Sequence, residues 1–171
     1  LALAARNAGA DVVLVSGPVT LPCPAGVRRE MVETADEMLA RTQQVIDEGC
    51  DLFIATAAVA DYRPETCAGD KIKKTEGAMA LALVRNPDTL ATVAGRPDKP
   101  FTVGFAAETR DVEHYARDKM SRKNLDMIVA NDVSEPGLGF NSDSNAVTVF
   151  WPDGSCAFPA AEKNRSGTGI D

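Results

Sequence analysis

The stretch "CDLFIATAA", Cys50 to Ala58, is apolar at almost every position on both of its alternating faces. Such a run is typical of a strand that is buried on both sides, as in the parallel sheets of α/β proteins. Amphipathic helical segments stand on either side of it, one starting at a capping box of Thr34 and Glu37 and the other at "DVEHYARDKMSRKN". We therefore expect an α/β fold with a Rossmann-like, mostly parallel sheet and helices on both faces.

Other strands are predicted from short apolar runs between turn residues, namely "DVVLVSG", "VRREMV", "MALALV" (Met79 to Val84), "FTVGF" and "LDMIVAND". Asn86 and Pro87 resemble the N-cap and first-turn proline of a short helix that runs through Ala94. The alternation and Pro-Asp-Gly turn of "NAVTVFWPDGSCAF" predict a C-terminal antiparallel hairpin. No linker or internal repeat interrupts the pattern, so residues 1–171 are expected to form a single domain.

Composition excludes several classes of function. The formal net charge of -7 argues against generic binding to nucleic acid or to an anionic membrane. No apolar run approaches the roughly 18 residues that would span a bilayer, and no secretory leader is recognisable. Four widely separated cysteines favour reduced thiols in a cytoplasmic protein, and one histidine makes a zinc site unexpected.

Ligands of such sheets bind outside the carboxyl ends of the strands, which directs attention to the loops there. The first loop lies in "AAVADYRPETCAGDKIKK", Ala57 to Lys74. Ala57 and Ala58 are small enough for a ligand to lie against the backbone, and Asp61 could bind a ribose, an amine or a metal. Lys71 could neutralise a phosphate. The alternatives are a turn-forming or helix-capping aspartate at Asp61 and a solvated run of lysines.

Three further segments offer similar choices. The loop "RNPD" at Asn86 to Asp88 could seat a phosphate at a helix N-terminus, or its polar residues could be ordinary caps. Phe105 could flank a base or belong to the core. Lys119 and Lys123 share one helical face and could bind phosphates or remain solvated. The segment "ANDVSEPGLGFNSDSN" suits a lid, a subunit contact or plain turns.

Well-known catalytic signatures are missing from the sequence. It contains no G-x-x-x-x-G-K-[ST] phosphate loop, which excludes a P-loop NTPase, and no G-x-G-x-x-G motif. No plausible Ser-His-Asp order or Cys-His pair supports hydrolase chemistry. A Rossmann-type oxidoreductase rests on the sheet pattern alone, because Glu30 and Glu33 follow a proline-rich loop where a glycine-rich turn would be needed.

Taken together, the segments "AAVADYRP", "DKIKK", "VRNPD", "VGFAAET", "YARDKMSRKNLDMIVAND" and "GFNSDSNAV" resemble, in this order, the phosphopantothenate–cysteine ligase family. In most bacteria this ligase is the second half of a bifunctional coenzyme A biosynthesis protein. The resemblance implies that 4'-phosphopantothenate attacks CTP to give an acyl-cytidylate, which L-cysteine then converts to an amide. It also implies magnesium with the nucleotide, a homodimer, no flavin in this domain, and a flavin-dependent decarboxylase domain as a partner in the full-length protein.

Carried over position by position, the resemblance places the nucleotide-binding aspartate at Asp61 and the essential lysine at Lys71. Further CTP contacts fall on Asn86, Pro87, Asp88, Thr89, Phe105, Lys119 and Lys123. Cations placed at the α-phosphate would stabilise the charge that develops in nucleotidyl transfer, a role we assign to Lys71. Lys119 and Lys123 would then hold the β- and γ-phosphates, and Asp61 the ribose or base. The residues identify no metal ligands, and they do not distinguish CTP from ATP.

Two departures from the family keep an alternative open. The family's first strand, its Gly-rich turn and an asparagine-bearing segment have no counterpart in this sequence, and "KNRSGTGID" does not continue into the family's closing helix. The alternative to the ligase is therefore a fragment that binds CTP without catalysis.

Overall fold

The computed structural model describes residues 1–73, 77–108, 110–132 and 144–162. Its helices are α1 (Ala2–Asn7), α2 (Ala35–Asp47), α3 (Thr89–Ala94) and α4 (Val112–Arg122). The strands are β1 (Val13–Ser16), β2 (Arg28–Met31), β3 (Leu52–Ala55), β4 (Tyr62–Pro64), β5 (Leu83–Arg85), β6 (Phe101–Glu108), β7 (Met127–Asp132), β8 (Ser144–Trp151) and β9 (Gly154–Glu162). Among these residues no helix has the length and apolarity to cross a membrane.

The central sheet has five strands in the order β3-β6-β7-β8-β9. Strands β3, β6 and β7 are parallel, with Ile54 opposite Val103 and Gly104 opposite Ile128. Strands β8 and β9 form an antiparallel hairpin at the end of this sheet, turning directly after Trp151. The predicted α/β fold, with a mostly parallel sheet and a C-terminal antiparallel hairpin, is confirmed.

The hydrophobic core lies on the sheet face that α3 and α4 cover. Ile128 and Ala94 are fully buried there, together with Met120 and Phe150. Leu125 lies in the connection between α4 and β7, and a Cβ atom on Gly104 would lie only 2.7 Å from its Cδ1. The absence of a side chain at Gly104 therefore allows Leu125 to pack closely against β6. On the opposite face, a second cluster joins the buried Val103, Val129 and Val149 to aromatic side chains of the strands.

The start of α2 shows how local sequence signals direct this fold. The Thr34 hydroxyl accepts a hydrogen bond from the Glu37 N–H, and the Glu37 carboxylate accepts from the Thr34 N–H. The Glu37 carboxylate also accepts the Glu33 N–H, and these two backbone donors lower its pKa. The predicted capping box is confirmed in both of its halves.

Cys50 to Ala58 is predicted to be a strand that is buried on both faces. A strand is present, but the prediction that it is buried is wrong. Only Leu52–Ala55 is a strand, and Leu52 is 50% exposed. The reason is position: β3 is the first strand of the central sheet and pairs with β6 on one side only. Strands β1 and β2 form a separate two-stranded parallel sheet.

The strand predicted at Met79 to Val84 is also corrected. Only Leu83–Arg85 forms a strand, and this strand pairs antiparallel with β4. Strand β4 lies in the segment Ala57 to Lys74, which the sequence analysis treats as a loop. The pair forms a two-stranded ribbon outside the central sheet. Met79 and Leu81 are exposed, so their alternation with alanines did not mark a buried face.

Candidate functional site

Two of the predicted ligand loops lie against each other. The Asn86 side chain donates its Nδ2–H to the carbonyl of Ala60, 2.7 Å away, and the Asn86 backbone N–H donates to the carbonyl of Asp61, 2.8 Å away. The loop after β3 and the loop after β5 are therefore cross-linked by one residue. Ala57, Ala58 and Asp61 are exposed in the first of these loops.

The side chain of Asn86 is engaged within the protein at both polar ends. Its Oδ1 accepts a hydrogen bond from Nη1 of Arg63 at 2.9 Å, while its Nδ2 bonds to Ala60. In this arrangement Asn86 fixes the shape of the site by holding the Asp61 loop. A direct contact between Asn86 and a nucleotide stays a prediction.

The helix N-terminus beyond this loop begins later than predicted. The N-cap is Asp88, whose carboxylate accepts the Ala91 N–H at 3.0 Å, and α3 starts at Thr89. The predicted cap at Asn86 with Pro87 in the first turn is wrong, because the Asn86 amide is held by Arg63 and Ala60. The sequence left two roles open for this loop, a phosphate seat or an ordinary helix cap. Asp88 acts as the helix cap.

Lys119 in the last turn of α4 reaches toward β6, and Lys123, the C-cap of the same helix, reaches toward the start of α3. Lys123 Nζ lies 2.6 Å from Oδ2 of Asp88, and Lys119 Nζ donates to the carbonyl of Phe105 at 2.7 Å. Burial raises the pKa of Asp88. The hydrogen bonds from Lys123 and from the Ala91 N–H, together with the charges of Lys123 and Lys119, lower this pKa by more, so the net shift is downward. These contacts define a lysine–aspartate cluster of Asp88, Lys119 and Lys123.

Phe105 contributes to this region through its backbone. Its carbonyl accepts the Lys119 ammonium, and its partly buried side chain packs against the cluster of Val103, Val129 and Val149. The interpretation of Phe105 as a core residue is therefore confirmed, and its contact with a base stays a prediction.

Thr89, the first residue of α3, has a buried Oγ1 without a hydrogen-bond partner among the described residues.

Lys71 has no contact with the lysine–aspartate cluster among the hydrogen bonds and ion pairs of the described residues. It is exposed, and within the described part of the chain it forms no hydrogen bond or ion pair. Lys73 is exposed in the same segment. The convergence of Lys71 with Lys119 and Lys123 remains a prediction. Lys74 and residues 133–143, which include most of the suggested lid or subunit contact, lie outside the described residues.

Sequence analysis missed Arg63. In addition to Asn86, its guanidinium contacts the carboxylate of Asp36 at the start of α2, with Nη2 3.2 Å from Oδ2. No motif marks this arginine, because the residues it joins are far apart in sequence and meet only in the folded chain.

The ion pair between Asp88 and Lys123 predicts a pH-dependent stability. The pKa of Asp88 is lowered from its ordinary value of 3.8, so its contribution is complete above that value and is lost as the pH falls through the folded-state pKa. Asp88→Asn keeps an oxygen for the helix cap and removes the charge. We expect this variant to be less stable than the wild type at neutral pH by up to about 1 kcal/mol, since the pair is partly solvent-screened.

Urea unfolding of both proteins between neutral pH and about pH 3 measures this difference. Other carboxylates titrate equally in both proteins, so the difference isolates Asp88. It should shrink as the pH falls below the ordinary value of an aspartate, because the wild type then loses the same charge. A stability difference that stays constant with pH would contradict the ion pair.

The fold and its polar loops define the class of protein: a Rossmann-like α/β domain with cross-linked loops and a lysine–aspartate cluster beside the central sheet. Residues 1–170 match the family described as the C-terminal domain of the DNA/pantothenate metabolism flavoprotein, and the chain belongs to this family.

Individual relatives agree with this assignment. The coenzyme A biosynthesis bifunctional protein CoaBC of Vibrio parahaemolyticus is 56% identical over 167 residues, which cover 95% of this chain and 41% of the relative. CoaBC of Escherichia coli is 52% identical over 171 residues, which cover 98% and 42%. This chain therefore spans about two fifths of the length of these curated relatives.

Solved structures give the same fold. The crystal structure of the C-terminal domain of CoaBC matches with a TM-score of 0.78 and 38% identity, covering 97% of this chain and 74% of that one. A DNA/pantothenate metabolism flavoprotein from Streptococcus pneumoniae matches with a TM-score of 0.71 over 90% of this chain and 76% of that one. At 16% identity, the second match shows the fold alone.

Proposed function

We propose that this chain is the ligase part of a coenzyme A biosynthesis protein and joins 4'-phosphopantothenate to L-cysteine at the expense of CTP. The observation that carries the proposal is the identity of 56% and 52%, over nearly the whole chain, to proteins named for bifunctional coenzyme A biosynthesis. The motifs that resemble phosphopantothenate–cysteine ligase occur in the same chain and in the family's order.

The proposed reaction has two steps. A carboxylate oxygen of phosphopantothenate attacks the α-phosphorus of CTP, and the bond to the β-phosphate oxygen breaks, releasing pyrophosphate. The amine of cysteine then attacks the acyl carbon, the bond to the cytidylate oxygen breaks, and CMP and one proton leave. Magnesium enters as the complex of CTP. The first step brings two anions together and adds negative charge at the α-phosphate, so cations must be held in place by the protein.

The lysine–aspartate cluster supports part of this assignment. Its two ammonium groups are held by the Phe105 carbonyl of β6 and by Asp88 at the start of α3, and this one carboxylate partly compensates their charge. A triphosphate approaching this cluster would compete with Asp88 for Lys123. We propose that Lys119 and Lys123 bind the β- and γ-phosphates, that Lys71 acts at the α-phosphate, and that Asp61 binds the ribose or base. Ala57 and Ala58 would lie against the substrate.

A second candidate, a module that binds CTP without catalysis, is favoured by one observation: Lys71 is exposed and forms no hydrogen bond or ion pair within the described part of the chain. Calorimetry with CTP, combined with an assay of pyrophosphate release, distinguishes the two candidates. Binding of CTP without pyrophosphate release, when both other substrates are present, would identify the module.

The ligase proposal itself is tested on the full-length protein that contains this chain. CTP, phosphopantothenate and cysteine are supplied, and CMP and pyrophosphate are measured. We expect equal amounts of both products when cysteine is present, and pyrophosphate equivalent to the enzyme when cysteine is omitted, because the acyl-cytidylate then accumulates. A protein that releases no CMP in response to cysteine would overturn the proposal.

We further propose that the full-length protein is a homodimer in which a flavin-dependent decarboxylase domain accounts for part of the remaining length. The relatives are more than twice as long as this chain, which leaves room for such a domain. Sedimentation at micromolar concentration measures the oligomeric state, and a monomer alone would overturn the dimer.

A further inference from the structure

Arg63 occupies the point where three separate segments of the chain meet. Its Nη1 donates to Oδ1 of Asn86 at 2.9 Å and to the carbonyl of Arg85 at 3.2 Å. Its Nη2 lies 3.2 Å from the carboxylate of Asp36 in the first turn of α2. One guanidinium therefore connects the β4–β5 ribbon, the loop after β5 and the start of α2.

The contact with Asn86 extends the influence of Arg63 to the loop after β3. With its Oδ1 held by Arg63, the Asn86 amide is oriented so that Nδ2 points to the carbonyl of Ala60. The Asn86 backbone N–H then donates to the carbonyl of Asp61. Arg63 is thus the first member of a chain of hydrogen bonds that ends on the backbone of Asp61.

We propose that Arg63 is a positioning residue for the nucleotide site: acting through Asn86, it fixes the backbone at Ala60 and Asp61 and so places the Asp61 carboxylate. This inference rests on the proposed function, in which Asp61 binds the ribose or base of CTP. Arg63 itself need not touch the nucleotide, because its donors are directed to Asn86, Arg85 and Asp36.

The geometry requires a guanidinium rather than any cation. Two different nitrogens of Arg63 contact different partners, Nη1 contacting Asn86 and Nη2 contacting Asp36, and the planar guanidinium holds these two nitrogens in a fixed relation. A lysine would carry the same charge on one nitrogen and could not span Asn86 and Asp36 in the same way. Arg63→Lys should therefore recover little of what Arg63→Met loses.

The test measures CTP kinetics in the full-length protein. Because Asp61 would bind the nucleotide similarly before and during reaction, we expect Arg63→Met to raise the KM for CTP about tenfold, with kcat little changed. Asn86→Ala should do the same, and the double variant should be no worse than either single one, because both residues act in one chain of contacts.

Arg28→Met is the matched control. Arg28 also lies in a short strand, has a similar exposed fraction (49% against 43% for the Arg63 side chain) and forms ion pairs, with Glu48 and Glu30. Its substitution should leave the KM for CTP unchanged. A KM effect of equal size in both arginine variants would overturn the inference by showing a general charge effect.

Other outcomes separate a positioning role from a purely structural one. If Arg63→Met lowers the melting temperature but leaves the KM for CTP at its wild-type value, Arg63 only stabilises the fold and the inference is wrong. Strictly additive effects of Arg63→Met and Asn86→Ala would overturn the route through Asn86. A wild-type protein that forms no CMP refutes the proposed function itself, whereas an active wild type with an unaffected variant refutes only the role of Arg63.

Discussion

Replacing Lys71 by Gln is expected to slow acyl-cytidylate formation by about a hundredfold to a thousandfold, the cost of losing one preorganised donor to transition-state charge. The same change should leave the melting temperature of the protein unchanged. Lys71 is exposed and forms no hydrogen bond or ion pair within the described part of the chain, so the folded state loses nothing that the structure shows. The measurement is single-turnover pyrophosphate release without cysteine, beside a thermal unfolding curve.

Lys73→Gln provides the matched control. Lys73 lies two residues away in the same exposed segment and carries the same charge, so a general electrostatic attraction of CTP would be weakened equally by either change. We expect the Lys73 variant to react within a few-fold of the wild type. Near-normal pyrophosphate release by the Lys71 variant would refute the role of Lys71, and equal losses in both variants would reduce it to a surface-charge effect.

The parts of the fold that sequence predicted well depend on neighbouring residues. The capping box at Thr34 and Glu37 is present because both hydrogen bonds are made within four positions. The spacing of Lys119 and Lys123 on one helical face placed both near Asp88, as the period of an α-helix requires. The alternation along β8 and β9 gave the hairpin.

The parts that sequence did not predict depend on long-range pairing. Strand β4 is three residues long and ends in a proline, so its pairing with β5 left no periodic signal. Arg63, Asp36 and Asn86 come from three separate segments, and only the folded ribbon brings them together. The Asn86 side chain was available as a helix cap in sequence, and it was diverted because this tertiary contact exists.

The exposure of β3 was also not predicted, and its cause is an edge that no strand of the described chain covers. Strand β1 pairs only with β2, and β3 pairs only with β6, so each has one open edge within the described chain. Leu52 is exposed, although such an apolar run is typical of a covered strand. We propose that a further strand of the full-length protein pairs with the open edge of β3. The greater length of the relatives supports this proposal.

Core substitutions should separate the covered part of the sheet from the open edge. Ile128 is fully buried between the sheet and α4, so Ile128→Ala should lower the free energy of unfolding by about 2–5 kcal/mol. Leu52 is half exposed on the edge strand, so Leu52→Ala in the 171-residue chain should cost only about 1 kcal/mol. Urea unfolding measures both, and Ile128→Val gives a milder core variant if the alanine variant fails to fold.

The same pair of substitutions tests the proposed strand when it is repeated in the full-length protein. The cost at Ile128 should stay the same, because its surroundings are complete in this chain. The cost at Leu52 should rise toward that of a core leucine, since a neighbouring strand would bury the side chain and leave a cavity when it is truncated. An equal, small cost at Leu52 in both chain lengths would show that nothing covers β3. A large cost in the 171-residue chain alone would contradict the exposed edge.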